Sequence, residues 1–376
     1  MGIDNNKFPA WVEVDLNNLD YNFSVLKKLA DKGRKKIMAV VKADAYGHGA
    51  FEVSKRALAN GAYGLGVARA QEGKSLRQNG IGCPIYILGE TGPDEADTVL
   101  TYSLVPSLSS LEGALMFDRI AQTAGTRLNC HINIDTGMHR LGIDHSKAAE
   151  FFTCIKKLNH LKAEGIFTHF ACASDKKSLL TKKQAARFSK AAQEAKDILG
   201  PIDLIHSENS AACISSISQE LDMLRLGIAM YGLNPFDGGC PLKLRPLLSL
   251  KARVRLIKNI GKGETVSYCG TFKAKKDSTI ATFSIGYADG YSRLFSNRAR
   301  IIISGEYAPV VGNVTMDMFM ADISHIKGID IGDEAILIGR AEDKVIMADE
   351  LASVMGTINY EIVCMLRSRL PRVFKK

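Results

Sequence analysis

The chain has 376 residues, 46% of them hydrophobic, so it is long enough for one large domain and a second, smaller one. Its formal charge of +9 comes from 49 basic residues scattered among 40 acidic ones, a pattern that argues against a nucleic-acid-binding protein. The eight cysteines occur singly, and the sequence has neither a signal-peptide pattern nor a bilayer-length apolar stretch. We therefore expect a cytoplasmic protein without a disulfide framework or a metal site.

The first predicted elements are a strand over residues 11–16 and a helix that begins at the Asn17–Asn18 turn. Apolar strand runs then alternate with amphipathic helical segments up to about residue 240. The eight runs are IMAVV, YGLGVA, PIYILG, SLVPSL, LNCHINID, AEGIFTHF, DLIHSE and MLRLGIAMYG. This alternation predicts a parallel sheet, and eight repeats are the number that closes a TIM-type (β/α)8 barrel. An open doubly wound sheet is the competing architecture, although no GxGxxG fingerprint follows the first strand.

The composition changes over residues 235–246, which contain three prolines and a glycine pair. After this segment strand follows strand, in LSLKARVRLIKNI, STIATFSIGYA, ARIIISG, MFMADI and EAILIG. The pattern predicts a mostly antiparallel β domain with one helix at about residues 349–366. We therefore predict a barrel domain over residues 1–240 and a β domain over residues 241–376. The strand at 11–16 is a candidate to pair with the β domain.

A lysine follows the first barrel strand, in IMAVVKADAYGHG at residues 37–49. Lys42 therefore lies at the carboxyl end of a parallel strand, where barrels bind their ligands. Gly47 and Gly49 allow backbone amides to approach an anionic group. A lysine in this position can form an imine, although Lys42 taken alone is better explained as a solvated residue at a strand end.

Further polar residues follow the other predicted barrel strands. They are Asp135 and Arg140 after the fifth strand, His169 at the end of the sixth, His206, Asn209 and Ser210 after the seventh, and Arg225 in the eighth, just before Gly227 and Ile228. Each has a structural explanation by itself, such as a helix cap. Because unpaired buried charges are unfavourable, their convergence at one barrel mouth predicts mutual pairing or a shared anionic ligand.

Nine segments, in the same order, resemble those of alanine racemases and cover nearly the whole chain. They are VVKADAYGHG, NIDTGMHRLG, THFA, HSENSAA, RLGIAMYGL, VSYCGTF, GYADGY, VTMDMFM and TINYEI. The resemblance implies a barrel that binds pyridoxal 5'-phosphate (PLP), followed by a β domain. It also implies the PLP-dependent interconversion of L- and D-alanine, which supplies D-alanine for peptidoglycan.

The resemblance implies that Lys42 carries PLP as a Schiff base. Hydroxyls and backbone amides would hold the cofactor's phosphate, contributed by Tyr46, Ser210, Gly227, Ile228 and Tyr360. Asn209 is also expected to bind the cofactor. Arg225 would face the pyridine nitrogen and, unlike an acid, leave it unprotonated, so that the ring is a weaker electron sink. Arg140 would bind the cofactor's phenolic oxygen and the substrate carboxylate.

Racemisation needs acid/base groups on both faces of the substrate. The resemblance implies that Lys42 takes the proton from the D-isomer and Tyr268 from the L-isomer. Because a free tyrosine has a pKa of ~10, Tyr268 would need tuning by neighbours such as His169, which would orient it, and Arg225.

In the family this tyrosine comes from the partner subunit, so the resemblance implies a head-to-tail homodimer with shared active sites. Tyr287, Met316 and Asp317 would also come from the partner. Of these, Tyr287 and the backbone amide of Met316 are expected to bind substrate.

The chain departs from the family pattern at three positions. Many members have a carbamylated lysine two residues before Asp135, where this chain has Asn133. A neutral amide cannot supply the same negative charge, so Arg140 would be held less firmly, or an anion or another polar group would fill the space. Cys269 and Thr315 also differ from the residues common in relatives, and could shift substrate preference slightly.

Four alternatives remain. A racemase of serine or of a broader amino-acid range fits, because a small pocket rejects an extra hydroxyl only weakly. A PLP decarboxylase of basic amino acids shares the domain plan, although the Tyr268 segment favours racemisation. A PLP-binding protein without catalysis would not need the β domain, and a basic nucleic-acid binder ranks last.

Overall fold

The structure is a computed structural model that describes residues 8–31, 35–175, 177–217, 221–236 and 238–376. The chain forms two compact units. The barrel unit consists of Leu19–Ala45 and Ala50–Arg245, and the β unit of Met1–Asn18, Tyr46–Gly49 and Pro246–Lys376. Within the described residues no helix combines the length and the apolar character that a bilayer crossing requires.

The strands of the described residues are numbered in chain order. The first ten are β1 (Ala10–Asp15), β2 (Lys36–Val40), β3 (Gly64–Val67), β4 (Ile85–Ile87), β5 (Ser107–Leu108), β6 (Leu128–Asp135), β7 (Ile143–Asp144), β8 (Leu161–Phe167), β9 (Leu204–His206) and β10 (Met223–Leu226). The others are β11 (Leu248–Ile260), β12 (Thr265–Val266), β13 (Phe272–Lys273), β14 (Ser278–Phe283), β15 (Arg300–Ile303), β16 (Glu306–Pro309), β17 (Phe319–Asp322), β18 (Glu334–Ala341), β19 (Lys344–Ile346) and β20 (Arg372–Lys375).

The right-handed α-helices are α1 (Leu16–Asp31), α2 (Ala50–Ala59), α3 (Ala70–Gln78), α4 (Ala96–Thr101), α5 (Leu111–Thr123), α6 (Ala148–Ile155), α7 (Leu179–Leu199), α8 (Ser210–Ser215), α9 (Ala348–Met355) and α10 (Asn359–Cys364). Side-chain caps begin several of them. The Ser110 hydroxyl accepts from the Gly113 N–H at 3.0 Å before α5, and the Ser178 hydroxyl accepts from the Thr181 N–H at 3.3 Å before α7. These caps satisfy N–H groups that the first helical turn leaves without a partner.

Eight parallel strands of the barrel unit close into a ring. β10, β2, β3 and β4 form one parallel sheet, and β5, β6, β8 and β9 belong to a second. A parallel bridge between Tyr86 and Val105 joins β4 to the segment that enters β5. The Asp222 N–H donates to the Ile205 carbonyl at 2.9 Å, which joins β9 to β10. The predicted (β/α)8 barrel is therefore confirmed, and the open sheet is excluded.

The β unit contains a mostly antiparallel sheet in the order β16, β15, β18, β11, β1, β20, with β14 pairing with β11 and β17. Strand β1 is antiparallel to β11, with Ala10 opposite Ala252, and parallel to β20, with Glu13 opposite Val373. The first strand of the chain thus pairs with the C-terminal strands, as expected for residues 11–16.

The two units differ from the predicted domains, 1–240 and 241–376, because two short N-terminal segments lie with the C-terminal strands. One is the segment that contains β1. The other is Tyr46–Gly49, which packs so closely that a Cβ on Gly47 would lie 2.2 Å from the Val363 carbonyl oxygen.

The single helix predicted over about 349–366 is wrong. Gly356, in the left-handed conformation at φ 74°, ends α9, and α10 begins at Asn359. A left-handed glycine after the last turn is a common helix stop, because it lets the chain turn back without a Cβ clash.

Candidate active site

The backbone after Lys42 is unusual. The four residues Ala43–Tyr46 all have left-handed φ angles, between 52° and 54°. This conformation costs an L-residue ~1–2 kcal/mol, so it needs support from the surrounding structure. The Ala43 N–H donates to Glu72 Oε1 at 2.7 Å, and the Asp44 carboxylate accepts from the Ala50 N–H at 2.7 Å. Lys42 is therefore attached to a tightly held turn rather than to a mobile loop.

Glu72, in the first turn of α3, connects two neighbouring barrel loops. Its Oε2 accepts from the N–H groups of Ala68 at 2.7 Å and Arg69 at 3.2 Å, while its Oε1 accepts from Ala43. One carboxylate thus joins the loop after β3 to the turn after Lys42. Glu72 was not predicted as a site residue, because a glutamate in a first helical turn is usually explained as a cap.

Arg225 lies on β10 with only 3% of its surface exposed. Its Nη1 bonds to His206 Nδ1 at 2.9 Å and donates to the His206 carbonyl at 3.1 Å. Its Nη2 donates to the carbonyls of Thr168 at 2.8 Å and Ser207 at 2.9 Å, and contacts His169 Nδ1 at 3.2 Å. These hydrogen bonds fix the orientation of the guanidinium, which only donates and is always charged.

His169 lies in a cluster of cationic groups. Burial, and then the positive charges of Arg225, Arg140 and Lys42, lower its pKa to about 3. The imidazole is therefore neutral near pH 7, and because Arg225 donates to Nδ1, its proton is on Nε2. The structure brings these four predicted residues together at the carboxyl ends of the barrel strands.

A second group of predicted residues surrounds the start of α8. The Asn209 side chain caps this helix, accepting from the Ala212 N–H at 3.1 Å. The Ser210 hydroxyl accepts from the N–H groups of Gly227 at 3.0 Å and Ala229 at 3.3 Å. Ile228 begins the adjacent 3-10 turn, Ile228–Tyr231. Hydroxyl and backbone donors thus lie close together, which is the chemistry that holds a phosphate.

The loop that carries Arg140 is shaped by Asp135. Asp135 Oδ1 accepts from the N–H groups of Gly137, Met138 and His139 at 2.9 to 3.1 Å. Burial raises the pKa of Asp135, but these donors outweigh burial, and its pKa lies below the ordinary value. Asp135 therefore acts within the fold, as the organiser of this loop.

Asn133 is buried in β6, and Arg140 is exposed at the loop surface. Among the described residues, no side chain forms a hydrogen bond or an ion pair with the Arg140 guanidinium. The side-chain partner that was expected to replace a negative charge beside Arg140 is therefore absent from the described residues.

Gln184 on α7 is fully buried and ties the two loops that carry Arg140 and His169. Its Nε2 donates to the Thr136 hydroxyl at 3.2 Å and to the His169 carbonyl at 3.0 Å, and its Oε1 accepts from the Ala171 N–H at 3.0 Å. Gln184 was not predicted as a site residue, although a glutamine on the apolar face of an amphipathic helix is a signal that identifies a buried polar group.

Two predicted phosphate-binding tyrosines are neighbours in the β unit. The rings of Tyr46 and Tyr360 have centroids 6.3 Å apart. Burial raises the pKa of Tyr360 to about 12, so its hydroxyl remains protonated and can donate a hydrogen bond near neutral pH.

Three other predicted residues of the β unit share an exposed surface. Tyr268 is 71% exposed, Met316 55% and Tyr287 40%. Their segments are tied together, because the Asn313 side chain donates to the Tyr268 carbonyl at 2.8 Å and the Tyr287 N–H donates to the Thr315 carbonyl at 3.1 Å. This surface, defined by Tyr268, Tyr287 and Met316, is called the tyrosine face below.

Asp317 lies beside the tyrosine face in an ion pair with Arg369 at 2.9 Å. Arg369 also contacts Asp289 at 3.2 Å, and Asp289 accepts from the Gly286 N–H at 3.0 Å. Asp317 thus belongs to a network that supports this part of the β unit.

The residues present fit PLP. The barrel unit combines a lysine on a strained turn, two arginines around a neutral histidine, and a hydroxyl with backbone donors. An amine suits the aldehyde of PLP, and the cations and donors suit its phosphate.

The chain matches two family descriptions, "Alanine racemase, N-terminal domain" over residues 14–235 and "Alanine racemase, C-terminal domain" over residues 247–374. The alanine racemase of Desulfovibrio desulfuricans is 40% identical over 369 residues, which cover 97% of this chain and 98% of that protein. The alanine racemase of Halothermothrix orenii is 39% identical over 368 residues, covering 98% and 97%.

Solved structures agree. The alanine racemase of Clostridium difficile 630 has a TM-score of 0.93 at 37% identity, covering 98% of this chain and 96% of that chain. The alanine racemase from Bartonella henselae, solved with covalently bound pyridoxal phosphate, has a TM-score of 0.87 at 26% identity, covering 98% and 100%. This chain therefore belongs to the alanine racemase family, whose members are PLP-dependent isomerases.

Proposed function

We propose that this protein interconverts L- and D-alanine with PLP bound at Lys42. The observation that carries the proposal is the cluster at the barrel mouth, where Lys42, Arg140 and Arg225 surround the neutral His169. Three cations suit an anionic cofactor and a carboxylate substrate. When bound, PLP supplies an electron-withdrawing ring that acidifies the α C–H of an amino acid.

The roles of the cofactor-binding residues follow from their donors. Tyr46, Tyr360 and Ser210, with the amides of Gly227 and Ile228, would hold the phosphate, and Asn209 orders the helix that carries Ser210. Arg225 would face the ring nitrogen. Because a guanidinium does not give up its proton, Arg225 would not protonate that nitrogen, which would limit side reactions.

Two bases serve the two faces of the substrate. The Lys42 amine holds or releases the proton on one face, and the Tyr268 oxygen does so on the other. His169, whose Nδ1 accepts from Arg225, has its Nε2–H left to orient the tyrosine. A single base tends to return the proton to the face from which it came, so both groups are needed.

The exposure of Tyr268 supports a homodimer with shared active sites. A catalytic tyrosine that is 71% exposed in its own chain fits a group that is presented to a second copy. Tyr287 and the Met316 N–H would bind substrate from the same face, while Arg140 holds the substrate carboxylate. We place the reaction in the cytoplasm, supplying D-alanine for peptidoglycan.

Incubation of the purified protein with L-alanine in heavy water tests the proposal. We expect loss of optical rotation together with deuterium at Cα. Lys42→Ala should remove both changes and also the borohydride-sensitive absorbance of bound PLP. L-serine and L-lysine are the matched substrates. The substrate assignment fails if L-serine or L-lysine loses its configuration while L-alanine keeps it, and release of carbon dioxide would indicate a decarboxylase.

A further inference from the structure

A chain of buried polar side chains runs from Arg225 into the barrel interior. Arg225 Nη1 is 2.9 Å from His206 Nδ1, and His206 Nε2 is 2.8 Å from His131 Nδ1. His131 Nε2 lies 3.5 Å from Glu164 Oε2. His206 is 0% exposed and His131 2%, so the two imidazoles are shielded from water, whereas the Glu164 side chain is 16% exposed. Four residues from four strands thus form one polar chain, which ends at a carboxylate.

The chemistry of arginine sets the direction of every proton in this chain. A guanidinium only donates, so His206 Nδ1 must accept, and the His206 proton is on Nε2. That proton points at His131 Nδ1, which places the His131 proton on Nε2, facing Glu164. Burial lowers the pKa of both histidines, so each is neutral and has a single proton. Both histidines are therefore fixed as Nε2–H tautomers.

The last contact is electrostatic. At 3.5 Å, the distance between His131 Nε2 and Glu164 Oε2 exceeds that of an ordinary N–H···O hydrogen bond. Both atoms are buried, and among the described residues neither has a hydrogen-bond partner. A carboxylate oxygen that faces a buried N–H stabilises that proton through charge, and the low dielectric of the interior strengthens the effect.

Two local features of β8 make room for this contact. The pairing of β6 with β8 shifts between Cys130 opposite Ala163 and His131 opposite Gly165, so Glu164 is the extra residue of a β-bulge. A bulge redirects a side chain that regular alternation would place elsewhere. Gly165 has no side chain, and a Cβ there would lie 2.7 Å from His131 Nε2. The Glu164 bulge therefore directs its carboxylate toward His131, and Gly165 leaves room for the His131 imidazole.

We propose that Glu164 is a positioning residue of the reaction, acting through His131 and His206 on Arg225. The inference rests on the proposed function, because Arg225 matters to catalysis only as the partner of the cofactor ring. Glu164 provides a negative charge at the far end of the polar chain that begins at the buried Arg225 guanidinium. The Glu164 charge polarises the two neutral imidazoles and stabilises their Nε2–H tautomers. His206 Nδ1 then remains an acceptor for Arg225 Nη1, and this hydrogen bond holds the guanidinium plane in place.

The test uses the PLP-loaded protein and two readouts. In protein made with 15N-labelled histidine, we expect His131 and His206 to show a protonated Nε2 and an unprotonated Nδ1 at neutral pH. Glu164→Gln removes the charge but keeps an acceptor oxygen, so it should shift the His131 Nε2–H resonance. The same variant should lower kcat roughly 3- to 30-fold, the range seen for changes in coupled buried networks, with the KM for alanine unchanged.

Asp203→Asn is the matched control. Asp203 directly precedes β9 and donates its N–H to the Glu164 carbonyl at 3.1 Å. Its side chain pairs with Lys162 at 2.8 Å, but both side chains of this pair are about half exposed. We expect it to match the original protein in kcat and in the two histidine resonances. The proposal is overturned if kcat of the Glu164→Gln variant equals that of the control, or if the variant loses only thermal stability.

The histidine resonances of the unmutated protein decide the question even if Glu164→Gln does not fold. A protonated Nδ1 or an imidazolium at His131 or His206 would overturn the proposal. These resonances need no substrate, so they also separate the two hypotheses. If no amino acid is racemised while both histidines are Nε2–H tautomers, the proposed function fails and the polar chain stands.

Discussion

Replacing Gln184 by methionine should weaken both the fold and the active site. The substitution keeps the length of the side chain but removes its amide, and with it the bonds to the Thr136 hydroxyl, the His169 carbonyl and the Ala171 N–H. At about 1 kcal/mol for each of the three bonds, the free energy of unfolding should fall by about 3 kcal/mol. Since Gln184 joins the loops of His169 and Arg140, kcat/KM for alanine should also fall about tenfold or more.

Gln193→Met on the same helix is the control. Gln193 is exposed and bonds only to Asp197 among the described residues, at 2.8 Å, so its replacement should change the unfolding free energy by less than about 0.5 kcal/mol. Urea unfolding gives the stabilities and steady-state kinetics give kcat/KM. If the Gln184→Met variant unfolds at the same urea concentration as the control and has the same kcat/KM, the assigned role of this amide is incorrect.

Three further predictions concern other parts of the molecule. Tyr268→Phe should abolish racemisation but leave the absorbance of bound PLP. Tyr307→Phe, on β16, is the control and should retain activity. Full activity of the Tyr268→Phe variant would exclude Tyr268 as a base. Gly47→Ala should lower the unfolding free energy by more than about 2 kcal/mol, because alanine is strained at φ +79° and its Cβ would meet the Val363 carbonyl at 2.2 Å. Gly80→Ala is the control for the backbone strain alone, because Gly80 has a φ of +86° but open space around it. Equal losses of unfolding free energy in the two variants would contradict the clash. The pKa of His169 is lowered from 6.5 to about 3 in the folded protein, so between these pH values the unfolded chain binds a proton that the folded chain does not. The unfolding free energy should therefore fall as the pH drops below 6.5. His169→Gln should make this fall shallower, and an unchanged dependence of the unfolding free energy on pH would contradict the lowered pKa.

The barrel was predictable because its strands are short, apolar and regularly spaced. Each of the eight predicted runs contains one barrel strand, and the carboxyl ends of parallel strands necessarily meet at one face. Lys42, His169 and Arg225 were therefore recognisable as neighbours, although they are far apart in the sequence. Their individual roles depended on the family resemblance and stay predictions.

Features that depend on tertiary contacts were not predictable. KADAY has the composition of an ordinary helix, and only its support, including the Glu72 carboxylate, reveals a left-handed turn. Glu164 likewise looks like a surface residue of a strand. Its importance comes from partners that lie distant in sequence, and the bulge that redirects it leaves no simple sequence pattern. The helical pattern places Gln184 on the buried face of α7, but its partners in two loops depend on tertiary contacts.

The position of β1 in its sheet has a consequence for biosynthesis. Glu13 pairs with Val373, so a strand made at the beginning of translation waits for a partner made near its end. At ribosomal speeds this delay is roughly 20 to 70 s. The barrel strands emerge during this interval and have all their partners before β20 exists. Strand β1 has no partner until β11 (Leu248–Ile260) is made, and its other edge stays unpaired until β20 exists. We therefore expect the β unit to be the part that depends most on protection from aggregation while the ribosome completes it.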